Sequence, residues 1–175
     1  NERRIVFTVA NEEKTKKLIQ AQKRHMHIGV PGHGIVIAVP IKSVGGGKTV
    51  AFLNGETDNA AYTPSLNYSH ELIVAVCSQG CTDMVMNAAR AAGARGGTVL
   101  HGKGTGAKGA PKFYNITIAQ EKEMILIVAT ASQKAAIMQS ILKKAGPDSK
   151  AGTIVFSLPT TQVAGFALLD NQDET

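Results

Sequence analysis

The feature that most constrains this chain is a repeat within it. Shifted by 119 positions, Val6-Phe7-Thr8-Val9-Ala10 falls on Ile125-Leu126-Ile127-Val128-Ala129, and Leu18-Ile19-Gln20 falls on Ile137-Met138-Gln139. The strand ends agree best. Pro40, Val44, Gly45 and Gly46 fall on Pro159, Val163, Ala164 and Gly165, with one residue of gap near Gly34 and Gly152. Self-similarity over this span means one supersecondary unit used twice. The early segment then corresponds to the second half of a unit whose whole copy runs from residue 71 to about 166.

Local patterns say what that unit is. Leu72–Cys77 is a short β-branched run that reads as a strand, and Thr82–Ala92 is a helix ending at Gly93. Gly97–His101 is a strand, Gly102–Lys112 a Gly/Lys loop, and Ile116–Ala129 strand-rich. Thr130 or Ser132 caps a helix whose Ile137, Met138, Ile141 and Leu142 share one face. Gly146 and Pro147 stop it, and Thr153–Leu158 is the last strand. The order β-α-β-β-α-β predicts an α+β, ferredoxin-like fold. In the first copy, Arg4–Val9 reads as a strand, Asn11 caps a helix to about His25, and Ile35–Pro40 reads as a buried strand. That makes one complete unit plus a β-α-β half-unit, at 1–46, a linker at 47–70, the complete domain at 71–167 and a polar tail at 168–175. A lone β-α-β leaves apolar faces and a sheet edge open. Either residues upstream complete it, or it docks on the complete unit or on a neighbouring subunit.

Composition narrows the function classes. The 175 residues are 43% hydrophobic and 18% charged, enough to bury a core. The longest apolar runs are too short to cross a bilayer and no secretory signal is visible, so a cytoplasmic protein without membrane insertion is expected. A net charge of +6 suits anionic partners or simple solubility. Aromatics are 5% with no Trp, which argues against base stacking and against a nucleic-acid partner. Cys77 and Cys81 are too few for a disulfide framework and read as reduced thiols.

The loop Gly102-Lys103-Gly104-Thr105-Gly106-Ala107-Lys108-Gly109 is the most informative segment. Its glycines match G-x-G-x-x-G, but no helix opens after them, so the dinucleotide reading fails. The loop is either an anion-binding nest of backbone N–H groups with flanking lysines or a solvated hairpin. Gly45-Gly46-Gly47-Lys48-Thr49 lacks the glycine at position 42 that a phosphate loop requires. His25, His27 and His33 cluster near a helix end, and His101 closes a strand beside the Gly loop. Each is a candidate metal ligand or an ordinary structural histidine. No residue set argues for acid–base or covalent catalysis, so no enzyme is expected.

Gly93-Ala94-Arg95-Gly96-Gly97-Thr98-Val99, Gly102-x-Gly104-Thr105-Gly106, Gln120-Glu121-Lys122-Glu123 and the closing Gly152–Pro159 strand together resemble the P-II nitrogen regulatory proteins. The likeness is to a divergent branch built of tandem units, with the first one partial. It implies a non-enzymatic signalling protein of nitrogen metabolism that assembles as a trimer. It also implies ATP, ADP or 2-oxoglutarate as effector in an intersubunit cleft, and a partner enzyme or transporter met by the loop after the second strand. Carried over by position, Gly104, Thr105, Gly106, Lys108, Lys122 and Gly152 are the ligand-binding residues. Thr160 to Phe166 holds no arginine where the family has a pair, which removes two bidentate phosphate contacts. The runner-up reading is a structural or metal-binding trimer of the copper-tolerance type on the same fold, motivated by Cys77, Cys81, His101 and the His25–His33 cluster.

Overall fold

A computed structural model describes residues 4–30, 32–41, 65–104, 112–113, 116–117 and 120–165. The chain divides into two compact units, Asn67–Thr160 and the segments on either side of it.

The larger unit runs β2 (Asn67–Ser78), α2 (Thr82–Ala91), β3 (Thr98–Gly104), β6 (Gln120–Thr130), α3 (Ala131–Ala145) and β7 (Ile154–Thr160). Two short strands, β4 (Lys112–Phe113) and β5 (Ile116–Thr117), pair with each other. The four long strands form an antiparallel sheet in the order β3-β6-β2-β7, the ferredoxin-like arrangement expected from the order of elements. β2 and β6 occupy the middle and are strongly apolar. β7 lies at the edge, where Pro159 costs no ladder bond on its open side.

Side chains alternate between the two sheet faces. Ile73, Ala75 and Cys77 of β2 and Ile125, Ile127 and Ala129 of β6 point to the helices and make the core with Val85, Met86 and Ala89 of α2 and Ile137 and Ile141 of α3. The helices are tied to each other where the Ser140 hydroxyl donates to the Ala88 carbonyl at 2.7 Å. Lys134 of α3 meets Glu71 of β2 at 2.9 Å in a half-buried ion pair. Burial pushes the Glu71 carboxyl up, but hydrogen bonds from Lys134 and Ser157 and the Lys134 charge bring it below its usual range. Lys134→Ala is expected to lower the unfolding free energy by about 1 kcal/mol, read from urea denaturation, because the bridge is only half exposed.

α3 stops at Gly146, where a Cβ would run into the Leu142 carbonyl oxygen. Strands β2, β3 and β7 outrun their expected bounds. β2 begins at Asn67, five residues early, with a register shift against β7 between Asn67 and Glu71. β3 continues through Gly102 to Gly104, because antiparallel pairing with β6 satisfies backbone groups that glycine alone would leave to a loop.

In the other unit, α1 (Glu12–Met26) is capped by Asn11, whose side-chain oxygen accepts from the Lys14 N–H at 2.9 Å. Glu12 and Glu13 fill its first turn and pair with Lys16 and Lys17. Asn11→Ala should cost this unit about 1 kcal/mol, visible as faster amide exchange in α1. The helix closes on His27 in the left-handed region, at φ 52°. β1 (Val36–Ala38) pairs antiparallel with β8 (Gln162–Ala164), and Ile19, Ile28 and Ala164 form a small core. Gly165 passes so close to the Gly34 carbonyl oxygen that a Cβ there would collide with it.

The strand expected over Arg4–Val9 is not formed. Residues 4–10 are irregular, with Val6 and Phe7 83% and 80% exposed. An apolar β-branched run becomes a strand only where neighbouring strands accept its backbone bonds, and local propensity does not replace them. The Gly45–Thr49 segment and the polar tail lie outside the described residues.

Candidate functional site

Of the expected ligand residues, Gly104 and Lys122 lie at the end of the sheet where β3 and β6 part. Lys122 stands opposite Gly102, and Gln120 opposite Gly104. Lys122 is even-numbered in a strand whose odd positions face the helices, so it lies on the helix-free face. Its chain crosses Gly104 so closely that a Cβ there would sit 2.9 Å from the Lys122 Cγ. Gly102 faces open space. The absence of a side chain at Gly104 thus leaves room for the lysine chain at this end of the sheet. Its Nζ donates to the Ser78 hydroxyl at 3.2 Å.

Gly152 joins this group through the backbone. The Ser78 N–H donates to the Ala151 carbonyl at 2.9 Å, which fastens the turn after α3 to the end of β2. Gly152 follows with φ +55°, a conformation that favours glycine. The Ala145 carbonyl receives the Thr153 N–H at 3.1 Å and closes the turn. Gly104, Lys122 and Gly152 therefore belong to one end of one sheet. Thr105, Gly106 and Lys108 lie outside the described residues.

The other face of this sheet end carries a device that the sequence reading missed. Glu123 is 5% exposed and its carboxylate accepts from the Gly80 N–H, the Thr82 N–H and the Thr82 hydroxyl, at 3.1, 3.1 and 2.6 Å. It therefore caps α2 from another strand, since Cys81 at the N-cap position makes no side-chain cap. The Thr82 hydroxyl, then the Gly80 N–H, hold the Glu123 carboxyl below its usual range, with smaller help from the Thr82 N–H and His101. His101 sits 3.7 Å from it and is itself exposed. The signal was present in the alternation of β6, where Glu123 shares the buried parity of Ile125 and Ile127. An acid on the apolar face of a central strand has to be satisfied by something.

The candidate metal ligands do not converge. Among the described residues no three His, Cys, Asp or Glu side chains are grouped to hold an ion. Cys77 and Cys81 are free and buried. Burial, reinforced by Glu123 and Cys81, pushes the Cys77 thiol up to about 11, which keeps it protonated and unreactive at neutral pH. Cys81 is turned toward the Lys150 carbonyl. The His27 and His33 rings meet edge to face at 6.2 Å between centroids, in the other unit. No helix among the described residues is long and apolar enough to cross a membrane.

Comparison with family models decides the kinship, for the model of "Nitrogen regulatory protein P-II" matches residues 70–166, more than half of the chain. The chain belongs to the P-II family. The match covers the sheet, apart from the first three residues of β2, and both helices of the larger unit, so the P-II part of the chain is the part that holds Gly104, Lys122 and Gly152. Among solved structures, the crystal structure of Arabidopsis thaliana PII bound to citrate is similar at 20% identity. It covers 53% of this chain and 76% of that one, with a TM-score of 0.40. No curated protein matches the chain.

Proposed function

We propose that this P-II family member is a non-enzymatic regulator that takes up a small anionic effector, ATP, ADP or 2-oxoglutarate, between the subunits of a trimer. The loop after β3 then carries the state of the site to a partner enzyme or transporter of nitrogen metabolism. The observation that supports this most is the half-buried Lys122. Glycine at 104 leaves room beside it, and among the described residues its Nζ meets the neutral Ser78 hydroxyl in a hydrogen bond. A lysine held in this way has donors left for an anion. The backbone beside Gly152, Gly104 and the Thr105, Gly106 and Lys108 segment would supply the rest. Without the family's paired arginines, phosphate contacts fall to lysines and backbone N–H groups, so adenine nucleotides are expected to bind more weakly than a carboxylate effector.

The helix-free face of the sheet favours the trimer. Val76, Met124, Leu126, Ile154 and Phe156 share it, and Ile154 and Phe156 are 65% and 43% exposed. An apolar sheet face of this kind buries itself against copies of the same chain.

Calorimetric titration with ATP, ADP and 2-oxoglutarate, alongside sedimentation equilibrium, tests the reading. Binding by at least one effector to a trimer is expected. Lys122→Ala should weaken it by about tenfold or more, the worth of a charge-assisted hydrogen bond, without changing the melting temperature. A monomer that gives no heat with any of the three would overturn it.

A further inference from the structure

His27 and His33 stand at the two ends of one short loop after α1, and that loop is held in shape. Ile28 within it is buried and packs with Ile19 and Ala164. The Val30 N–H donates to the His27 carbonyl and the His33 N–H to the Val30 carbonyl, both at 3.1 Å. Gly29, Gly32 and Gly34 take φ values of 120°, 89° and 116°, which lets the chain double back over a short span. The result is that the two imidazoles meet, with ring centroids 6.2 Å apart and planes inclined at 71°.

The chemistry of each ring follows from its surroundings. The His33 Nδ1 lies 3.3 Å from the Met26 carbonyl oxygen. A carbonyl can only accept, so in the neutral ring Nδ1 carries the proton and Nε2 keeps the lone pair. A backbone carbonyl behind one ring nitrogen is also what orients an imidazole that ligates a metal through the other. His27 closes α1 at φ 52°, a left-handed conformation that glycine adopts without strain, so the backbone does not call for histidine there. The end of α1 is the negative pole of the helix dipole and favours a cation. Lys23 and Arg24 in the last turn are exposed, so solvent and salt screen their opposition to one. The dipole alone would account for one histidine at the helix end. It does not account for a second one carried back to it by a glycine-rich loop.

We propose that His27 and His33 form a two-imidazole site for a borderline divalent transition-metal ion, Cu²⁺ or Zn²⁺. Two protein nitrogens suffice for an ion that keeps water in its remaining positions. With metal–nitrogen bonds of about 2 Å, two imidazoles on one tetrahedral ion have their centroids about 5 Å apart. The observed 6.2 Å is about an ångström wider, a gap that two exposed side chains close by small rotations. Imidazole nitrogens suit copper and zinc, whereas magnesium and calcium ask for oxygen ligands. The inference is independent of the effector site and uses none of its residues.

Calorimetric titration of the full, untagged chain with copper sulfate, zinc chloride and magnesium chloride tests it, together with NMR of the histidine rings. Cu²⁺ should bind more tightly than Zn²⁺, and Mg²⁺ should give no heat. Zn²⁺ should shift the ring signals of His27 and His33 and leave those of His70 and His101 in place. His33→Ala and His27→Gly should each weaken binding by about tenfold or more. His27→Gly removes the imidazole while giving the backbone a residue that suits its φ, so its melting temperature should not fall. His25→Ala should leave binding unchanged. Zinc that shifts neither the His27 nor the His33 ring would overturn the proposal. So would an ion held as tightly by the chain carrying both His27→Gly and His33→Ala, which would put the metal elsewhere.

Discussion

Glu123→Ala is expected to lower the unfolding free energy by about 3 kcal/mol, the largest effect of any single polar truncation in the larger unit. The substitution deletes the acceptor of two backbone N–H groups and one hydroxyl at a mostly buried helix start. Each donor left unsatisfied costs about 1 kcal/mol or more, and α2 also loses an anion at the positive end of its dipole. Glu123→Gln keeps acceptor capacity without the charge and should cost about half as much. Because the folded carboxyl is held below its unfolded value, its contribution is complete above about pH 4.5 and fades as the pH falls through the folded value. Urea titrations at pH 7 and pH 3 would check both points. The gap between native protein and Glu123→Gln should narrow at the lower pH, and a gap that stayed constant would count against the cap.

Gly97→Val is expected to destabilise the same unit by a further amount of about 3 kcal/mol, for a reason unrelated to backbone conformation. A Cβ at this position would lie 3.0 Å from the Met86 Sδ, 3.1 Å from the Ile125 Cγ2 and 3.2 Å from the Ile127 Cγ1. Those partners belong to the core, and both isoleucines sit on the central strand with no exposure. Alanine asks them to yield by a few tenths of an ångström, whereas valine adds two methyl groups with nowhere to go. Methionine is the one adaptable neighbour. Gly97→Ala combined with Met86→Ala should therefore be less destabilised than the sum of the two single changes. Thermal unfolding of the double-mutant cycle reads this coupling, and simple additivity would show that the contact does not matter.

Much of the fold was legible because it rests on local patterns. The β-branched apolar runs of β2 and β6, the shared face of Ile137 and Ile141, the Asn11 cap and the Gly146 stop are local signals, and each element formed near its expected place. Arg4–Val9 was misread because strand formation depends on partners that the stretch itself does not name. The site was legible in part, since glycines near a lysine suggest an anion pocket wherever they occur. Ser78 as the Lys122 partner and Glu123 as a remote helix cap come from different elements, 44 and 41 residues away from what they bind. No short motif encodes pairings at such distances, so only the antiparallel register of β2, β3 and β6 reveals them.

That register has a consequence for how this sheet avoids misassembly. Lys122 and Glu123 are chain neighbours that serve opposite faces of β6, one the helix-free side and the other the helix start. If β6 slid by one residue against β2 and β3, an ammonium group would enter the core while the carboxylate left α2 uncapped. The slipped sheet would also turn Ile125 and Ile127 outward. A single charged dipeptide thus acts as a check on alignment, making the nearest wrong pairing costly on both faces at once. The lysine of the helix-free face and the carboxylate of the helix start thus alternate along the same strand and serve separate surroundings.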